Sequence, residues 1–290
     1  MSLATFLRLG RVSNLPTVWS NTLAAVALAG AWPPDARLLP LLAATTLAYT
    51  GGMFLNDAFD REIDARERPE RPIPSGEIGH VTVLAIGFAM LALAVALVAG
   101  VALGADGGGW RAVIAALALA ATIVLYDLHH KGNPFGPLVM GLCRALVYAA
   151  VGLALLETPS PTLLLGAAVL TCYLVGLTWT AKQERSESIT SLWPLVPLVS
   201  PLVYGTVAAT LGAQVALVPC ALLALWLLAA LRRVRRGNPG DVGRAVGSMI
   251  AGIALVDAIF LAAAVGLGPA LLGCAAFVLT LALQRRVPGT

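Results

Sequence analysis

Apolar runs long enough to cross a bilayer follow one another along almost the whole of this 290-residue sequence. A spanning helix needs about 20 mostly apolar residues. Such runs occupy 14–32, 38–56, 80–104, 111–128, 135–156, 161–181, 193–211, 214–231, 243–266 and 269–284. They predict ten spans, or nine if the last run lies along the interface. The composition excludes a soluble protein: charged residues make up 12%, against about a quarter in soluble domains. Too little polar sequence remains for a second domain. Residues 1–290 are therefore expected to form one all-α domain, a polytopic transmembrane helical bundle.

The placement of charge orients that bundle. Cytoplasmic loops of membrane proteins carry an excess of Lys and Arg. With the N-terminus inside, the inner segments collect Arg8 and Arg11, the four arginines from Arg61 to Arg71, Lys131, Lys182 and Arg185, the five arginines from Arg232 to Arg244, and Arg285 with Arg286. Only Arg37 and Arg111 fall outside, and Arg144 lies within a span. Both termini are thus expected in the cytoplasm. The long polar loops 57–79, 182–192 and 232–242 put any chemistry on the same face. Lysine is scarce beside arginine, which points to a GC-rich bacterial source and so to the bacterial inner membrane. The first run carries Asn14, Pro16, Ser20 and Asn21, which suit a site-lining helix better than a signal-peptide core. Cys143, Cys172, Cys220 and Cys274 each sit in an apolar run outside any CxxC pair, and are expected to be buried small hydrophobes.

The segment that carries chemistry begins inside the end of the second run, as Asn56-Asp57-Ala58-Phe59-Asp60-Arg61-Glu62-Ile63-Asp64. At helical spacing Asn56 with Asp57, then Asp60, then Asp64 share one face. Asp57, Asp60, Glu62 and Asp64 repel one another unless a cation neutralises them. Oxygen-only ligands suit a hard cation such as Mg²⁺, which is usually held by one or two carboxylates plus substrate phosphates. The competing reading is a solvated run balanced by Arg61, Arg66, Arg68 and Arg71. Two features favour a site. Charge inside the end of an apolar helix is costly and usually functional. The arginines also continue as Arg68-Pro69-Glu70-Arg71-Pro72-Ile73-Pro74-Ser75-Gly76, a Pro-rich stretch that holds guanidinium forks in place. Such forks match phosphate oxygens bidentately. Carboxylates and arginines at a membrane face point to a metal-bound diphosphate.

NDxxDxxxD followed by RPxRPIPSG after the second run resembles the UbiA superfamily of intramembrane prenyltransferases. The resemblance extends over nearly the whole chain in topology and over two or three segments as motifs. It implies a helical bundle, usually of nine spans, around a central cavity open to the cytoplasmic side. There an isoprenyl diphosphate binds through Mg²⁺ to aspartates, and its prenyl group passes to an acceptor. Carried over by position, Asn56, Asp57, Asp60 and Asp64 match the first aspartate motif, with the three aspartates as metal ligands. Arg68 and Arg71 match its trailing basic positions. Tyr126 and Lys131 resemble a Tyr…Lys pair after the fourth helix; the other reading is an interfacial aromatic and an ordinary loop lysine. Arg11 and Asn14 resemble polar positions of the first helix. Asp57, Asp60, Asp64 and Lys131 are the implied catalytic set.

The sequence departs from that pattern after the sixth run. A second DxxxD-type motif is usual there, whereas Thr180-Ala181-Lys182-Gln183-Glu184-Arg185-Ser186-Glu187 has no aspartate. Lys182 and Glu184 are the expected substrate-binding residues in its place, with a lysine point charge replacing metal bridging. This variation, with the N-terminal Arg11-Val12-Ser13-Asn14-Leu15-Pro16, resembles the EboC-like branch. Arg144 and Asp257 are intramembrane charges, which normally point inward and find partners. One reading pairs them structurally; the other puts Arg144 in the cavity wall, near the leaving diphosphate or a polar acceptor. His129 and His130 are read as solvated.

The function expected is Mg²⁺-dependent transfer of a prenyl group from an allylic diphosphate to a small acceptor, aromatic or lipid-like. Aromatic rings such as Tyr126, Tyr148, Tyr173 or Trp179 are candidates to face an allylic cation. A membrane terpene cyclase would ionise the same diphosphate, a transporter would use the charges as an ion path, and a non-enzymatic scaffold descended from an enzyme would account for the altered second motif. The expected partners are an isoprenyl diphosphate, an acceptor the sequence does not identify, and the lipid bilayer. No nucleic acid is expected.

Overall fold

The computed structural model describes residues 2–182, 193–236, 238 and 240–287. Among them are helices and turns and no strand. The helices are α1 (Leu3–Leu9), α2 (Leu15–Leu28), α3 (Leu38–Phe59), α4 (Arg61–Glu67), α5 (His80–Ala102), α6 (Trp110–His129), α7 (Gly136–Leu155), α8 (Pro161–Lys182), α9 (Ser200–Thr210), α10 (Leu217–Arg236), α11 (Asp241–Ala264) and α12 (Leu267–Gln284). Each of the ten apolar runs is occupied by helix. Eight helices are long and apolar enough to cross a membrane: α3, α5, α6, α7, α8, α10, α11 and α12.

The other two runs depart from the expectation of full spans. α2 has 14 residues, or roughly 21 Å at 1.5 Å per residue. A 3₁₀ turn over Val12–Asn14 precedes it. The run at 193–211 divides into a 3₁₀ stretch, Trp193–Val199, and the short α9. Pro197 explains the division, because proline supplies no N–H to continue the helical ladder.

α11 is the axis of the bundle. In its most apolar window 89% of the residues are buried, against 28% for α5 and 17% for α12. It packs against α2, α8, α10 and α12, while α3 packs on α5, and α7 on α6 and α8. Apolar side chains cover the outer surface. Val81 on α5 is 76% exposed and Leu39 on α3 72%. That surface suits lipid, where only helices and closed barrels satisfy every backbone group. The molecule is an integral membrane helical bundle.

In lipid, apolar burial does not drive helices together, so close backbone approach does. α3 and α5 meet at Gly51 and Gly87. A Cβ on Gly51 would stand 2.9 Å from the Gly87 carbonyl oxygen, and one on Gly87 would stand 2.8 Å from Leu55. This crossing fixes the helix that carries the aspartates. The cysteines correct the expectation of burial: only Cys220 is buried, Cys143 and Cys274 are partly so, and Cys172 is exposed.

Candidate functional site

A cavity of about 450 Å³ lies between α2, α3, α6, α7, α8 and α11. Its mouth is built by the end of α3. Asp60 ends α3 but keeps a helical backbone (φ −81°, ψ −1°), and α4 starts at the next residue. The helical period therefore runs on through the break. Asp57, Asp60 and Asp64 share one face as expected and are all buried, whereas the Glu62 side chain is 78% exposed.

Each aspartate meets a base. Arg71 Nη1 lies 2.7 Å from Asp64 Oδ2 and 3.2 Å from Asp57 Oδ1. Arg11 Nη2 lies 3.1 Å from the same Asp57 oxygen and 3.2 Å from Asn56 Oδ1. Lys131 Nζ lies 2.9 Å from Asp60 Oδ1, and His130 Nε2 lies 3.6 Å from Asp60 Oδ2. Arg11 is held in the left-handed backbone region, φ 41° and ψ 48°, which is rare without glycine and clusters at functional sites. Its carbonyl accepts from Tyr49 Oη at 3.3 Å. The strained bend between α1 and α2 thus aims Arg11 at the α3 carboxylate. From α6, Asp127 accepts from Asn56 Nδ2 at 3.2 Å through Oδ1, and its buried Oδ2 has no hydrogen-bond partner.

The deeper part of the cavity is walled largely by apolar side chains, among them Met53, Leu119, Ile123, Val147 and Leu177. One charge interrupts it. Arg144 on α7 lines the cavity, with its guanidinium 5.7 Å from the Tyr49 ring centre. It donates to Asn21 Oδ1, and to Thr17 Oγ1 at 3.4 Å. Asn21 Nδ2 donates in turn to both oxygens of Asp257, at 2.9 and 2.8 Å. Asp257 also accepts from Ser20 and Tyr148.

Residues 16–249 match the UbiA prenyltransferase family. The chain belongs to that family. Among its relatives is a digeranylgeranylglyceryl phosphate synthase of Ignicoccus hospitalis, 38% identical over 115 residues that make up 40% of this chain and 37% of the relative. The stretches aligned with curated relatives span between 35% and 55% of those relatives' lengths. Among solved structures, the apo UbiA homologue of Aeropyrum pernix K1 superposes with a TM-score of 0.65 at 20% identity, over 84% of this chain and 96% of that one. The Archaeoglobus fulgidus UbiA homologue bound to GPP and Mg²⁺ gives a TM-score of 0.54 at 15% identity, over 94% of this chain and 99% of that one. The fold is shared along almost the full length.

In this UbiA-family cavity the sequence-derived residues separate into three groups. Arg11, Asn14, Asn56, Asp60, Asp64, Arg68, Arg71, Tyr126, Lys131 and Arg144 line it. Asp57 stands just behind the lining, where it fixes Arg11 and Arg71. Lys182 stays outside: its Nζ donates to the Asn133 carbonyl at the rim. Glu184, with the rest of the altered second motif after Lys182, lies outside the described residues. Tyr148 and Tyr173 also fall outside the cavity, with their hydroxyls spent on Asp257 and on the Met249 carbonyl. His130 is not a solvated bystander, because it stacks on Tyr126 with ring centres 5.1 Å apart and faces Asp60. Sequence reasoning passed over Asp127 and Tyr49. Asp127 carried a usable signal, an acid in the last turn of an apolar helix.

Among the described residues no three Asp, Glu, His or Cys side chains converge tightly enough to hold a metal by themselves. The donor set still fits Mg²⁺, which takes only one or two carboxylates when phosphate supplies the rest. Asp57 and Asp64 each give a single oxygen to the arginines, Oδ1 and Oδ2 respectively.

Proposed function

We propose that this protein transfers a prenyl group from an allylic isoprenoid diphosphate to a small acceptor inside the membrane, with the mouth of the cavity facing the cytoplasm. One observation carries the reading: a mouth of paired aspartates and bases opens directly into an apolar chamber. Charged diphosphate and hydrocarbon chain are thereby matched by adjoining parts of one cavity. The GPP and Mg²⁺ bound to the Archaeoglobus homologue are of the chemistry this division suits. The name of the curated relatives, digeranylgeranylglyceryl phosphate synthase, supports a lipid-like acceptor over an aromatic one.

Asp57, Asp60 and Asp64 are the proposed holders of Mg²⁺ with the diphosphate. Bound there, the ion would supply positive charge to the leaving-group oxygens. Arg68, Arg71 and Lys131 add fixed donors to the same oxygens, and preorganised charge of this kind is the usual source of rate. The C1–O bond of the prenyl diphosphate breaks, and its electron pair leaves with the diphosphate. Tyr126 and Tyr49 offer ring faces to the allylic cation. The apolar walls keep water away until an acceptor oxygen or carbon attacks C1 and releases its proton.

The test is Mg²⁺-dependent diphosphate release by the full chain in lipid nanodiscs. Geranyl, farnesyl and geranylgeranyl diphosphates are each supplied alone and then with a membrane lipid extract. Release or transfer that stops with EDTA and in Asp60→Asn is the expected result. No turnover of any diphosphate in either condition overturns the reading. The organic product separates transfer from internal cyclisation.

A further inference from the structure

One buried carboxylate of the cavity takes no part in the mechanism above. Asp127 stands in the last turn of α6 and is 5% exposed, yet its side chain belongs to the cavity lining. The three motif aspartates are each met by a base: Asp57 by Arg11 and Arg71, Asp60 by Lys131, and Asp64 by Arg71. Asp127 is met by none. Its Oδ1 accepts one neutral hydrogen bond, from Asn56 Nδ2 at 3.2 Å. No donor among the described residues reaches its Oδ2. A buried acceptor left without a partner is costly and is seldom kept without a use.

The level at which Asp127 stands suggests the use. Asp60 and Lys131 pair at the mouth. Asn56 lies four residues further in along α3, about 6 Å on a helix, and ties Asp127 to that level. A diphosphate bound at the mouth puts its C1 carbon just inside its own oxygens, beside Asn56, Asp127 and the neighbouring Tyr126. The acceptor has to bring its nucleophilic atom to the same place, and bond formation leaves that atom with a proton to lose. The terminal torsion of an aspartate is soft and roughly two-fold, so the carboxylate can turn either oxygen to the cavity.

We propose that Asp127 is the catalytic base of the transfer and takes the proton that the acceptor gives up as it bonds to C1. The inference rests on the prenyl-transfer reading and names a residue for a step which that reading leaves unassigned. The C1–O bond breaks and its electron pair goes to the diphosphate. An electron pair of the acceptor oxygen or carbon closes the new bond to C1. The proton on that atom passes to the Asp127 carboxylate and leaves its bonding electrons with the acceptor. The neutral carboxyl returns the proton to water at the mouth when the products leave.

The test uses the full chain in lipid nanodiscs with Mg²⁺, a membrane lipid extract, and whichever of geranyl, farnesyl and geranylgeranyl diphosphates the unaltered protein turns over fastest. Asp127→Asn is the decisive variant, because its amide oxygen can still accept from Asn56 while the base is lost. Transfer is expected to fall by about 10²–10⁴, with the Kd of the diphosphate changed by less than about threefold and Asp127→Glu restoring part of the rate. In the unaltered protein the rate is expected to fall on the acid side of its pH profile, and that limb is expected to vanish in Asp127→Asn. Arg11, Asp57 and Asp60 act on Asp127 from across the cavity, Cys143 from α7, and Tyr126 from its own helix. His130 and Lys131 follow on the same segment and face Asp60. His80 of α5 is engaged with Arg61, and Lys182 of α8 with the Asn133 carbonyl. All of these groups remain in the variant, so an acid limb that persists there belongs to one of them and overturns the proposal. A profile of the unaltered protein that is flat on the acid side overturns it whether or not Asp127→Asn folds. So does a transfer rate in Asp127→Asn within about threefold of the unaltered protein. If affinity for the diphosphate and rate are lost together, Asp127 belongs to the diphosphate site and the proposal fails. No transfer by the unaltered protein sinks the prenyl-transfer reading itself and this step with it, an outcome seen before any variant is made.

Discussion

The mouth and the depth of this cavity handle buried charge in opposite ways. At the mouth, acid and base touch: Asp64 with Arg71, Asp60 with Lys131, and Asp57 with both Arg11 and Arg71. In the depth, Arg144 and Asp257 are kept apart by a neutral amide. The difference follows from the surroundings. Near the interface the ions keep some access to water, so direct pairs cost little and their partners can be exchanged. Deep in the bundle each lost partner is costly, and Asp257, which is fully buried, is surrounded by neutral donors instead. Exchangeable pairs suit a site that is to accept a multiply charged leaving group. A relayed pair suits a site that must stay as it is.

Four substitutions break or sharpen that contrast. The largest effect is expected for Asp257→Ala, which strands Ser20, Asn21, Tyr148 and the charge of Arg144. Removing one member of a buried charged set costs about 3–5 kcal/mol, and thermal unfolding in detergent would register it as a steep drop. A loss under about 1 kcal/mol would mean that the deep relay is incidental. Next is Asp60→Asn at the mouth. Turnover is expected to fall by about 10²–10³, with thermal stability nearly unchanged because the pair with Lys131 is partly exposed. A stability loss as large as that of Asp257→Ala would erase the distinction between the two regions.

A smaller effect is expected where the last helix meets the mouth. Gln284 Nε2 donates to Asn14 Oδ1 at 3.0 Å. Gln284→Ala should cost about 0.6 kcal/mol, the usual value of a hydrogen bond within a membrane bundle. Its signature is a raised KM for prenyl diphosphate without a matching fall in kcat. The smallest effect lies outside the spans, at Glu77. Hydrogen bonds from Arg8 and then from Thr5 hold its carboxyl below the ordinary 4.5. A depressed folded-state value means stability that is complete above the unfolded-state value and lost as pH falls through the folded-state one. Melting temperature should therefore dip slightly more below about pH 4.5 than in Glu77→Gln. Parallel pH curves for the two proteins would remove Glu77 from the account.

The sequence made the bundle and its mouth readable for the same physical reason: both depend on local periodicity. Apolar length located the helices. The spacing of Asp57, Asp60 and Asp64 survived the break after Phe59 because Asp60 stays helical. What was not readable depends on contacts between distant segments. Nothing local shows that Asn21 lies between Arg144 and Asp257, which are 123 and 236 residues away. Nor does local pattern separate Tyr49, in the cavity, from Tyr148, behind it. Hydropathy fails in a similar way: α5 and α11 are both strongly apolar, at 2.7 and 2.1, yet one faces lipid and the other is the axis. His130 was misread because its neighbours in sequence are loop residues, while its neighbour in space is Asp60.

The contact of α3 with α5 at Gly51 and Gly87 has a mechanical consequence. Side chains normally act as the compliant layer between helices, and at this joint the layer is thin: Gly51 faces the Gly87 carbonyl oxygen directly and Leu55 fills the space left at Gly87. A Cβ on either glycine would already press into its neighbour, so a larger residue at either place would push the two helices apart. The joint turns α3 into a fixed datum inside a fluid medium. The position of the carboxylates at its end is thereby set by the α3–α5 spacing.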